Sequence, residues 1–503
     1  MTEPAAAATL VELIHAAPGG QNALVVPETG ALVTYESLRR QVDAAAQVFA
    51  GAGIGPDERI AMALPNGPAI IVSFLAASMA GTAAPLNPAY RYEEFCFYLD
   101  DTRARLIVLP PEGAEDARRA AAERNIPVLT AETSASGEVR ISGAAAGKPV
   151  PPPAPDHVAL ILHTSGSTGR PKRVPLQHRY IARSARNIVG TYQLSANDVA
   201  LCLMPLFHVH GLVASTLSTL LSGGTVVVPG RFNPLSFWRT VREQRATWYS
   251  AVPTIHNLIL ARTNEKPAGT ESLRFMRSCS APLPVEMAEK LEALVGVPVL
   301  EAYGMTEASH QMASNPLPPR ARKFGTVGQA TGIEIGIMTD TGELVAAGGK
   351  GEVVIRGPSV IQAYENNPEA NAKSFTKGWF RTGDEGVLDD QGYLRLTGRI
   401  KELINRGGEK IAPREIDELL LTHPSVSEAV CFGIPHPTWG EEVAAAVVLR
   451  EPVTEAQLIA YCRDRMADFK RPKKLFIVES IPRTATGKVQ RLNVAAKLAG
   501  AQG

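Results

Sequence analysis

Short apolar runs that end at breakers alternate with stretches of helical periodicity, and this alternation restricts the fold more than any other feature of the chain. Tyr35 to Ala50 carries Leu38, Val42, Ala45 and Ala46 at helical spacing, and Arg59 to Leu64 follows as a strand-like run stopped by Pro65. Leu106 to Leu109 and Ile126 to Leu129 repeat the pattern around an Ala/Arg-rich helix. Such an order of elements predicts an α/β fold on mostly parallel sheets. The segment Gly143 to Asp156, rich in Ala, Gly and Pro, reads as a linker. From Gly332 to Leu396 short strands and turn residues take over, with a hairpin turn at Asp389 to Leu394, so a small β-rich subdomain is expected there. Beyond Gly398-Arg399 roughly one hundred residues of mixed helix and strand remain, a size at which a small domain folds alone.

At 503 residues the chain exceeds what one core organises, so at least two domains are expected. Lys plus Arg is 51 against 50 for Asp plus Glu, a balance that argues against a nucleic-acid partner held by bulk charge. The five cysteines are scattered and form no CxxC pair, which reads as reduced, buried thiols and neither a disulfide frame nor a zinc site. Met1 to Ala5 lacks a basic segment ahead of an apolar core, and Ala501-Gln502-Gly503 is no address signal, so a cytoplasmic location is expected. The uncharged stretches 69–87 and 209–230 are interrupted by Thr82, Pro85 and Ser222-Gly223-Gly224. A span needs about 20 unbroken apolar residues, so each is read as a helix buried in a large domain, with no membrane partner.

The strand-like run His157 to Leu162 leads into Thr164-Ser165-Gly166-Ser167-Thr168-Gly169-Arg170-Pro171-Lys172, where four hydroxyls, two glycines and a lysine fall within nine residues. Glycine lets backbone N–H groups approach an anion, hydroxyls donate, and lysine adds charge, a combination suited to polyphosphate. The spacing is not that of a P-loop. Gly51-Ala52-Gly53-Ile54-Gly55 follows a helix and reads as a helix stop, not a dinucleotide fingerprint.

The segment 163–172 resembles the phosphate-binding motif of the adenylate-forming superfamily, which includes acyl-CoA synthetases, peptide-synthetase adenylation domains and luciferases. Further motifs similar to that family's follow in its order: Tyr303-Gly304-Met305-Thr306-Glu307, Arg381-Thr382-Gly383-Asp384, Gly398 to Ile404, Arg406 to Ile416 and Pro482 to Lys488. One departure is Arg173, where the family usually has glycine. The resemblance implies a large N-terminal domain, 1–397, of two α/β sheet subdomains plus the β-rich subdomain, and a small mobile α+β C-terminal domain, 398–503. It implies an acid activated by ATP as an acyl-adenylate and passed to coenzyme A, with Mg²⁺ as cofactor. By the same resemblance Thr164, Ser165, Gly166, Ser167, Thr168, Gly169 and Lys172 hold the β- and γ-phosphates, Thr306 the α-phosphate, and Glu307 with Thr164 the magnesium ion. Asp384 and Arg399 match the ribose site, and Ser280-Ala281-Pro282 with Glu301-Ala302-Tyr303 match the segments that sandwich the adenine. Lys488 matches the lysine between carboxylate and α-phosphate, Lys401 the hinge, and Gly407-Gly408 the loop lining the pantetheine tunnel.

The acid pocket is expected near Pro205 to Gly211, Arg277 to Ala281 and Thr306 to His310. Polar groups there would cost roughly 1–3 kcal/mol each if left unpaired against an alkyl chain, so a small acid with a second carboxylate suits them better. Ala246 to His256, Asn315 to Pro318 and Lys401 to Lys410 are similar to the oxalyl-CoA synthetase branch of the superfamily. That likeness implies oxalate held by His208, His210, Ser280 and His310, with His208 equally readable as a gate. Alternatives are a CoA ligase for another short, medium-chain or aromatic acid, an adenylation enzyme that loads a carrier protein, and an adenylate-binding regulator. A monomer or homodimer is expected.

Overall fold

Thr34 begins the helix Tyr35–Gly51 in the computed structural model, which describes residues 9–15, 17–164, 171–463, 465–484 and 489–500. The Thr34 side chain accepts from the Ser37 backbone N–H, satisfying a donor that a helix N-terminus leaves open. The buried stripe Leu38, Val42, Ala45, Ala46 and Phe49 packs towards the helix Pro68–Ala80. Twelve of that helix's thirteen residues are buried, so it needs no polar face. The stretch 69–87 is therefore not one helix. It turns at Gly81, where a Cβ would lie 2.5 Å from the Glu58 carbonyl oxygen, and continues as the strand Thr82–Pro85. The stretch 209–230 also divides, into a π-helix His210–Leu217, a short helix Ser218–Leu221 and a strand Thr225–Val227. Among the described residues no helix is long and apolar enough to cross a membrane.

Two large sheets carry the first part of the chain. The seven-stranded one runs Val139–Ser142, Val128–Thr133, Leu106–Leu109, Arg59–Met62, Thr82–Pro85, Val158–Thr164, Lys172–Gln177. Its interior pairs are parallel and both end pairs antiparallel. In the nine-stranded sheet the neighbours Val199–Cys202, Trp248–Ala251, Phe275–Ser278 and Val299–Met305 are parallel, and His310–Ser314 returns antiparallel at one side. Apart from the partly buried Val199, these parallel strands are buried as far as Tyr303, so they show no alternation of buried and exposed residues.

A third sheet joins Glu334–Met338, Lys350–Arg356, Phe375–Thr376, Trp379–Leu388 and Leu394–Arg399, and a fourth joins Glu409–Ile411, Ile404–Arg406, Gly440–Leu449, Val426–His436 and Lys474–Ile477. The chain forms two compact units, Met1–Glu334 with Arg356–Phe375, and Ile335–Ile355 with Thr376–Gly503. Within the second, Arg414 on the helix Pro413–Leu421 donates to the Leu396 carbonyl at 3.0 Å, which ties that helix to the β-rich sheet. The expected α/β class, with its β-rich portion and small α+β end, is the fold observed. All five cysteines are free thiols; four are buried and Cys96 is half-buried.

Candidate active site

The strands Val158–Thr164 and Lys172–Gln177 form an antiparallel hairpin whose register sets Thr164 opposite Lys172 and His163 opposite Arg173. Ser165, Gly166, Ser167, Thr168 and Gly169 lie outside the described residues, but both ends of their loop are thereby defined. Thr164 Oγ1 donates to Glu307 Oε1 at 3.2 Å. A second donor to the same oxygen is the Tyr364 hydroxyl, at 2.8 Å. Burial and the adjacent Glu307 carboxylate push the Tyr364 phenol far above its ordinary value, so it remains a donor. Lys172 Nζ sits 4.4 Å from the centre of the Tyr364 ring, a cation–π distance. Sequence reasoning missed Tyr364; its only signal was an aromatic residue shortly before the Asn-Pro start of the helix Pro368–Ser374.

Glu307 is held by a tight reversal. The strand Val299–Met305 ends in a single 3₁₀ turn, Thr306–Ala308, and His310–Ser314 returns beside it. Ser309 adopts φ +56° and His310 φ +121°. Gly304 permits the return: a Cβ there would lie 2.2 Å from the His310 carbonyl oxygen. Thr306 and Glu307 are both buried, and the Glu307 carbonyl accepts from the Ile361 N–H at 2.9 Å. The two segments expected around adenine meet where Leu283 N–H donates to Glu301 Oε1 at 3.2 Å, with Ser280-Ala281-Pro282 just ahead of it and Ala302-Tyr303 just beyond.

The acid-site histidines converge on a residue that the sequence reading left without a role. Arg277 is completely buried in the strand Phe275–Ser278. Its Nε donates to the Tyr192 hydroxyl at 2.8 Å, Nη1 to Ser250 Oγ at 2.8 Å, and Nη2 to Gln311 Oε1 at 3.0 Å. His210 Nε2 lies 3.4 Å from Nη1 and His310 Nε2 3.3 Å from Nη2. Sheet register explains the convergence, because Ser250 pairs directly with Arg277 on the neighbouring strand. His210 opens the π-helix, a rare local form that recurs at functional sites. Its Nε2 is 2.6 Å from Ser250 Oγ and its Nδ1 3.0 Å from Ser280 Oγ. The His210 and His310 rings stack at 5.3 Å, both buried, whereas Ser280 and His208 are half-buried. His208 Nδ1 accepts from the His210 N–H at 3.3 Å. Arg277 was detectable in principle: it is the one charged residue in the apolar run Phe275 to Cys279.

On the second compact unit, the sheet register sets Asp384 opposite Arg399, and Arg399 Nε reaches Asp384 Oδ1 at 3.0 Å. Lys401 is exposed on the turn Ile400–Glu402. Gly407 and Gly408 take φ +59° and +96°, and a Cβ on Gly407 would lie 2.7 Å from the Trp439 ring, so only glycine fits that loop. Lys488 lies outside the described residues.

Known proteins resemble this chain over nearly its whole length. Residues 14–365 match the model of the AMP-binding enzyme family, and residues 415–488 match the AMP-binding enzyme C-terminal domain. An oxalate–CoA ligase of Arabidopsis thaliana is 48% identical over 92% of this chain and 93% of its own length. The Saccharomyces cerevisiae oxalate–CoA ligase is 42% identical over 94% of each. Among solved structures, ATP-bound MatB from Rhodopseudomonas palustris superposes with a TM-score of 0.91 at 29% identity, over 99% of this chain and 100% of that one. With both parts of the family matched in order and most of its length covered, this chain belongs to the AMP-binding, adenylate-forming enzymes.

Proposed function

We propose that this chain is an ATP-dependent acid–CoA ligase whose acid is oxalate. A carboxylate oxygen attacks the α-phosphorus of ATP and diphosphate leaves; the thiol of coenzyme A then attacks the carbonyl carbon and AMP leaves. The first step brings two anions together, so the site must supply cations and aligned donors. Lys172 and the hydroxyl-rich loop carry the β- and γ-phosphates, Thr306 the α-phosphate, Asp384 with Arg399 the ribose, and Ser280 to Pro282 with Glu301 to Tyr303 the adenine. Glu307 with the Thr164 hydroxyl is an all-oxygen donor pair. Such a pair fits a magnesium ion that takes its remaining ligands from phosphate and water; once bound, the ion offsets phosphate charge.

Lys488 meets the acyl carboxylate and α-phosphate in the first half-reaction. Rotation of 398–503 about Lys401 then withdraws it and brings Gly407-Gly408 to the pantetheine path. The observation that carries the choice of acid is the Arg277 guanidinium. Its hydrogen-bond partners are hydroxyl, amide and imidazole groups, and among the described residues no carboxylate pairs with it. A unit charge about 7 Å from a carboxylate is worth roughly 2 kcal/mol at an effective dielectric of about 20. That favours an acid carrying a second negative charge over an alkyl or aromatic one. The names of the relatives at 48% and 42% identity support the same choice.

The test is diphosphate release with CoA present over a panel of oxalate, malonate, octanoate and 4-coumarate. Oxalate is expected to be fastest, and a higher rate with octanoate or 4-coumarate refutes the assignment. Lys488→Ala is expected to lower ATP–diphosphate exchange by roughly 100-fold. Undiminished exchange removes that role from Lys488.

A further inference from the structure

Arg277 has five N–H groups in a rigid fork and cannot lose its proton. The structure offers five acceptors: the Tyr192 hydroxyl, Ser250 Oγ, His210 Nε2, His310 Nε2 and Gln311 Oε1. Both histidines face the fork through Nε2, and either can receive an N–H there only with that nitrogen unprotonated; His210 shares its one lone pair between Ser250 Oγ at 2.6 Å and Arg277 Nη1 at 3.4 Å. A proton on either Nε2 would point an N–H at a guanidinium N–H 3.3–3.4 Å away. An imidazolium would add a second buried cation beside the first. Ser250 fits the same polarity. It accepts from Arg277 at 2.8 Å and can pass its own hydrogen to His210 Nε2 at 2.6 Å.

We infer that Arg277 is a positioning residue that locks His210 and His310 as neutral rings protonated on Nδ1, and thereby turns the Ser280 hydroxyl into a hydrogen-bond donor for the acid. The consequence runs outward through one bond. His210 Nδ1–H donates to Ser280 Oγ at 3.0 Å, which occupies Ser280 as an acceptor. Among the described residues no group besides His210 Nδ1 is within reach to accept the Ser280 hydroxyl hydrogen, so with that nitrogen protonated the hydrogen is left for the acid. Ser280 is held at φ +72°, in the left-handed region that a serine seldom occupies, and it is half-buried where His210 is fully enclosed. A strained, partly open hydroxyl that receives an N–H from behind keeps its own hydrogen unspent and is suited to donate it to a carboxylate. With the opposite tautomer, Ser280 would donate to His210 Nδ1 and present lone pairs to an anion.

This inference rests on the acid-site reading above, but its first test does not need the acid. In the full-length enzyme labelled with ¹⁵N at histidine, long-range proton–nitrogen spectra distinguish the two neutral tautomers and the imidazolium. His210 and His310 are assigned by the signals lost in His210→Asn and His310→Asn. Both are expected as Nδ1–H, and finding either as Nε2–H or imidazolium overturns the proposal whatever the substrate. The second test is Arg277→Met, assayed with the acid that the wild-type enzyme uses best. The KM for the acid is expected to rise about 10- to 100-fold while the KM for ATP stays put. An unchanged acid KM, or a parallel rise for ATP, reduces Arg277 to a structural residue. If the variant does not fold, the wild-type spectrum decides alone. Should oxalate fail in the panel while both rings read Nδ1–H, the choice of acid falls and this relay stands.

Discussion

Arg173 stands where the family's phosphate loop usually has glycine, and its neighbours show what the added charge does. It reaches the Asp101 carbonyl through Nη1, and its Nε lies 3.5 Å from Asp101 Oδ2 and 3.8 Å from Glu365 Oε2. Neither acid depends on it alone: His163 Nε2 lies 2.9 Å from Asp101, and Arg59 pairs with Glu365. Arg173→Ala therefore orphans no buried carboxylate. The expected loss is that of one charge-assisted contact, about 1–2 kcal/mol by urea denaturation, below the cost of breaking a fully buried pair. The same variant has a charge readout. Burial lowers the His163 pKa, Asp101 opposes that shift and Arg173 adds to it. Removing Arg173 takes away a repulsive cation, so the His163 titration followed by NMR is expected to move upward. A downward move would mean that Arg173 acts mainly by holding Asp101 in place.

Between elements, one tie in the C-terminal part is Arg491, the first residue of the helix Arg491–Gly500. Its Nη2 meets Asp417 Oδ2 at 2.8 Å on the helix Pro413–Leu421, its Nε meets Glu402 Oε2 at 3.1 Å on the turn after Arg399, and its Nη1 donates to the Cys431 carbonyl. The pair is largely but not fully shielded and Asp417 also accepts from the Cys431 N–H, so breaking it costs about 2–3 kcal/mol, below the range for a fully buried pair. Arg491→Met is expected to lose that much in denaturation, and Asp417→Asn combined with it to lose less than the sum. Additive losses would mean the two residues are not coupled. Clamps of this kind mark the limit of what the sequence discloses. Helix Tyr35–Gly51 and strand Leu106–Leu109 were legible because periodicity acts within a few residues, and Thr306-Glu307 was marked by its motif, though not as a turn. The Arg277 network was not legible, because its acceptors come from positions 192, 210, 250, 310 and 311, on two helices and two further strands that meet only in the folded chain. The 69–87 stretch misled for a related reason: an element buried on all sides is apolar whether it is helix or strand.

Across the whole molecule, the pH response should be set by histidines that the fold keeps neutral. His178 opens the helix His178–Tyr192 and joins it to two others, accepting from the Leu10 N–H at 3.2 Å and donating to the Ser78 carbonyl at 2.9 Å. Burial pushes its pKa down from 6.5 to about 4, and burial does the same to His256. Because each folded value lies below the unfolded one, the unfolded chain binds more protons at any pH between them. Stability is therefore full above about pH 6.5 and is lost as pH falls towards 4, by up to about 3 kcal/mol for each ring. Carboxylates in the unfolded chain take up protons mostly nearer pH 4, so the slope between pH 6.5 and 5 belongs mainly to histidine. Urea denaturation across that interval should show stability falling with acid. In His178→Gln, the slope should shrink by the share of one proton, even though the variant starts from a lower stability. An unchanged slope would mean that His178 already carries its proton in the folded state, which would require the Leu10 N–H to face an imidazolium N–H at hydrogen-bond distance.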